Sequence, residues 1–100
     1  MPDVTITGED GKPILYASMH GEHLRFEFEY FARDESETDY EFKHTVFPIN
    51  FPSIPKKFGL DPTVDILVTI KEIQDKGFGQ ELQDALTNKE IVNELVVWRG

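Results

Sequence analysis

An antiparallel meander sheet of four to five strands, with one or two C-terminal helices packed on one face, is the α+β fold that this sequence predicts. Three observations predict it. Two runs between His23 and Val46 alternate apolar with charged residues, a proline-rich stretch then breaks the pattern, and the last third carries helical spacing. The 100 residues make one small domain, 1–100. A chain of this size can bury enough surface for a single core without staples.

The strands come first. "VTIT" (Val4 to Thr7) is β-branched and is followed by the turn "GEDGK". "PILYASM" (Pro13 to Met19) reads as a second strand, with its proline tolerated at the start. "HGEH" (His20 to His23) is compact enough for a hairpin turn. In the next run Leu24, Phe26, Phe28 and Tyr30 share one face, and Arg25, Glu27 and Glu29 share the other. Tyr40, Phe42, His44 and Val46 repeat the pattern, with Glu41, Lys43 and Thr45 opposite. Pairing Tyr30 with Tyr40 also pairs Phe28 with Phe42 and Phe26 with His44. A slip by two sets Glu29 beside Lys43 and keeps the same faces inside.

Pro48 to Pro62 holds four prolines, which exclude a central strand or a helix interior. Its Ile49, Phe51, Ile54, Phe58 and Leu60 predict an extended loop packed on the core. "TVDILVTIK" (Thr63 to Lys71) fits two elements. As a helix it has Asp61 as cap and Pro62 at the first position. As a strand it places Val64, Ile66, Val68 and Ile70 on one face, and its β-branched content favours the strand. Beyond it, Leu82 with Ala85, and Ile91 with Leu95 and Trp98, keep helical spacing. "TNKE" (Thr87 to Glu90) matches a capping box, predicting a restart of helix there. The tail "ELVVWRG" reads alternatively as a short closing strand.

Composition narrows function more than any motif does. Nineteen acids against ten bases give a net charge of −9. Such a chain has little with which to neutralise phosphate, so direct binding to nucleic acid or to an anionic membrane is disfavoured. No apolar run approaches the roughly 20 residues of a membrane span. Cysteine is absent, which excludes disulfides and zinc–thiolate sites and fits a reducing cytoplasm. Ser18, Ser36 and Ser53 lie in no nucleophile-elbow pattern, and "GFG" at Gly77 to Gly79 lacks the lysine of a phosphate loop. No cofactor motif is present.

Histidine is the remaining chemical candidate. His20 and His23 flank Glu22 and could approach one ion, but three ligands are an incomplete structural-zinc set. His44 has the parity of the aromatic face, which predicts a semi-buried histidine with a hydrogen-bond partner.

Charge is distributed unevenly. Eight acids (Glu22, Glu27, Glu29, Asp34, Glu35, Glu37, Asp39 and Glu41) and two bases fall between Glu22 and Glu41, a net −6 of the −9. An anionic surface of this kind complements a basic protein and speeds encounter with it. These eight residues are therefore the expected partner-binding residues of a small, non-enzymatic binding protein. Its most concrete form is an inhibitor that covers the active site of a basic toxin or nuclease. Bacterial immunity and phage anti-defence proteins share this composition, without a shared motif. One alternative is an assembly subunit that pairs through a sheet edge. A second is a small metal-binding domain or enzyme centred on His20, Glu22 and His23. Acidity that serves solubility alone competes with all three.

Overall fold

A computed structural model describes residues 3–30 and 40–99. Four strands precede the helices: β1 (Val4–Thr7), β2 (Pro13–His20), β3 (His23–Tyr30) and β4 (Tyr40–Val46). A 3₁₀ turn at Pro48–Asn50 leads into α1 (Ser53–Lys57), α2 (Ile66–Asp75) and α3 (Gly79–Thr87), and β5 (Glu94–Arg99) closes the chain. The sheet is fully antiparallel in the order β1-β2-β3-β4-β5, a meander with the helices inserted before its last strand.

The aligned register is the one observed. Tyr30 opposes Tyr40, Phe28 opposes Phe42 and Phe26 opposes His44, while Glu27 rather than Glu29 lies opposite Lys43. The β2–β3 hairpin closes on Gly21 and Glu22 between the paired His20 and His23. Gly21 takes a φ of 65°, which the first position of so tight a turn favours.

Alternation decides which face is core. Ile6, Leu15, Ala17, Leu24, Phe26 and Val46 from the sheet pack on Ile54, Ile70, Ile73, Leu82, Ala85, Leu86 and Ile91. α2 lies against β1, and α3 against β2 and β1. The other end of the inner face is less covered. Phe28 and Phe42 are only half-buried, and Leu95 and Val97 of β5 remain 45% and 44% exposed.

Three sequence expectations need correction. Residues 63–71 do not form a strand. Asp65 caps α2 by accepting from the Leu67 N–H at 3.1 Å, while Asp61 instead forms a turn with Thr63. The burial of Thr69, Ile70 and Ile73 has helical spacing, and the β-branched Val64 and Val68 are simply exposed. No helix restarts at Thr87, the last residue of α3. Beyond it Lys89 adopts φ 61°, with Glu90 N–H bonded to the Ala85 carbonyl and Lys89 N–H to that of Leu86. This is a Schellman ending, and it turns the chain toward β5. Finally, the Pro48–Pro62 segment is not fully extended, because it contains the 3₁₀ turn and α1. It packs on the core as expected, through Ile54, Phe51, Phe58 and Leu60.

Candidate functional site

The partner-binding residues expected from charge separate into groups. Asp34, Glu35, Glu37 and Asp39 lie outside the described residues. Glu27 and Glu41 stand on the outer face of the sheet beside cations. Glu27 Oε1 is 3.8 Å from Arg25 Nη1 and 3.9 Å from His20 Nε2, and Glu41 Oε1 is 3.5 Å from Lys43 Nζ. Pairs this loose and only half-buried contribute little stability, but they reduce the local negative field. The register opposes Glu29 and Glu41, two acidic positions set directly across from each other next to the segment that joins β3 to β4. Glu22 is exposed in the β2–β3 turn, at the opposite end of β3. Among the described acids, Glu22 is thus set apart from Glu29 and Glu41.

The histidines also divide. His20 and His23 are paired across the hairpin, but His20 faces Glu27 and the His23 ring packs edge-on against Phe47 with centroids 4.7 Å apart. Among the described residues no group of three or more His, Asp or Glu side chains could hold a metal ion.

His44 has the buried setting and the hydrogen-bond partner expected of it. It is 6% exposed, and its Nδ1 lies 2.9 Å from Asn93 Oδ1. Asn93 Nδ2 donates to the carbonyls of Leu86 (2.9 Å) and Ile91 (2.7 Å), so the amide orientation is fixed and Oδ1 must accept. His44 Nδ1 therefore carries a proton. Lys89 Nζ donates to the Asn93 carbonyl at 2.7 Å and approaches Asn93 Oδ1 at 3.2 Å. Burial pushes the imidazole below its ordinary pKa; the Asn93 hydrogen bond opposes that shift and the Lys89 charge adds to it. The favoured state is a neutral ring with its lone pair on Nε2. The sequence indicated the inward parity of His44 but not Asn93 or Lys89, whose roles depend on how α3 ends.

Compared with known proteins, the chain matches no protein family, and no curated protein or solved structure is significantly similar to it. Among the described residues no helix is long and apolar enough to cross a membrane.

Proposed function

We propose that this chain is a small, acidic, non-enzymatic binding protein that docks on a basic protein through the β3–β4 end of its sheet. In its most concrete form it is an inhibitor that neutralises a toxin or nuclease by covering a basic active site. The observation that carries this reading is the net −6 between Glu22 and Glu41. The register supports it by setting two acidic positions, Glu29 and Glu41, across from each other at this end of the sheet. Since Glu27 and Glu41 already have cations nearby, the acids of the connection supply most of the docking charge.

The test is association rate against salt with a partner captured from the native host. Wild type should associate more slowly as salt rises, and replacing Glu35, Glu37 and Asp39 together by Lys should lower the rate at low salt. Equal rates for the two proteins at every salt concentration would remove the acidic hairpin as the docking surface.

A second reading, an assembly subunit that pairs through a sheet edge, draws on a different observation. β5 is an edge strand whose Leu95, Val96 and Val97 are 45%, 46% and 44% exposed. A stable homo-oligomer in sedimentation would favour it.

A further inference from the structure

A groove of about 270 Å³ runs between α3 and the less covered end of the sheet's inner face. Phe28, Phe42, His44 and Leu95 line it from the sheet, and Gln83 and Thr87 line it from α3. It is distinct from the acidic outer face and independent of the reading placed there.

Two features give the groove chemical selectivity. Its walls are mainly apolar, and the Phe28 and Phe42 rings lie nearly parallel, 29° apart with centroids at 6.2 Å, a surface against which another ring can pack. Within this lining His44 is more than nine-tenths buried, and among the described residues only its Nδ1 is bonded. Nε2 has no partner among the described residues. Because Asn93 fixes the proton on Nδ1, Nε2 accepts a hydrogen bond and donates none. Nε2 is not among the buried atoms that lack a partner, so it meets solvent in the groove. A ligand that covers it without a donor leaves a buried acceptor unmatched, and one that supplies a donor gains over one that cannot. A full charge would lose part of its hydration in so apolar a groove, which disfavours ammonium and carboxylate groups at that point. A cavity of about 150 Å³ holds benzene, so this groove has room for two fused rings.

We propose that the groove binds a small, neutral aromatic molecule carrying one N–H or O–H donor, of the indole or phenol type. Its ring would lie against Phe28, Phe42 and Leu95, and its donor would bond to His44 Nε2.

The test uses ¹H–¹⁵N NMR titration with indole, 1-methylindole and a tryptophan-containing tripeptide. Indole should shift the amides of Phe28, Phe42, His44 and Leu95. 1-Methylindole keeps the ring and loses the donor, and should bind about tenfold more weakly, which corresponds to one net hydrogen bond. His44→Phe should abolish the preference for indole. Should that variant fail to fold, the comparison of the two ligands on wild type decides the matter alone, and Leu95→Trp, which fills the groove, should block both. Equal binding of indole and 1-methylindole, or shifts confined to other residues, would overturn the proposal. So would binding of the tripeptide without binding of free indole, which would assign the groove to a partner's side chain.

Discussion

At the scale of single residues, burial grades what looks equivalent in the alternating pattern. Phe26, Phe28 and Phe42 share one parity, but Phe26 is fully buried while the other two are half-buried beside the groove. Phe26→Ala should cost about 3–5 kcal/mol, and Phe28→Ala and Phe42→Ala distinctly less. Chemical denaturation would show the ranking, and equal losses for all three would mean that the groove is closed. His44 gives a prediction in pH. Its folded pKa is lowered from 6.5, so between the two values the unfolded chain binds more protons. Its stabilising contribution is complete above about pH 6.5 and is lost as pH falls through the lowered folded value. NMR titration of the ring should find the value below 6.5, and Lys89→Met should raise it by removing a neighbouring positive charge. The sequence made His44's inward direction legible because strand parity is local. It could not reveal Asn93 as partner, because the two lie 49 positions apart and meet only through the Schellman turn.

At the scale of elements, strands were legible where one face is apolar and the other charged. β3 and β4 were legible in parity but not in register, since a slip by two keeps the same faces inside; the structure takes the pairing that aligns Tyr30 with Tyr40. Residues 63–71 depart from the strand their sequence favours: Val64, Val68 and Ile70 carry β propensity, while packing of α2 over β1 decides the outcome. Propensity is a weak preference that packing overrides. The cap at Asp65 is the local signal that locates the helix start, and Asp65→Ala should cost about 1 kcal/mol, readable as a lowered denaturation midpoint. The start of α3 is constrained differently. A Cβ on Gly79 would collide with the Thr7 carbonyl and come within 2.8 Å of Ile6 Cγ2, because the helix begins directly on β1. Gly79→Ala should therefore destabilise by about 1–3 kcal/mol although alanine is the better helix former. A neutral or stabilising result would show that α3 can move away from β1.

At the scale of the whole molecule, the two edges of the sheet are unequal. β1 spans Val4–Thr7 and has a register irregularity between Ile6 and Thr7. Its end is also engaged, since Gln74 of α2 accepts from Thr7 N–H at 2.8 Å and donates to Thr7 Oγ1 at 2.7 Å. Shortness, irregularity and capping by a neighbour are the means by which edges resist pairing. β5 spans Glu94–Arg99, pairs regularly with β4, and shows partly exposed apolar side chains at three successive positions, Leu95 to Val97. Self-association, where it occurs, should therefore use β5. Val96 lies opposite Lys43, so Val96→Glu adds a charge to the open edge while placing it across from a cation. At high protein concentration sedimentation should show wild type associating and Val96→Glu remaining monomeric, with similar denaturation midpoints for both. A substitution on the short β1 edge, Thr5→Glu, should leave association as it is in wild type. If Val96→Glu and wild type associate equally, β5 is not the pairing edge, and its exposed valines are compatible with a monomer that meets its partner elsewhere.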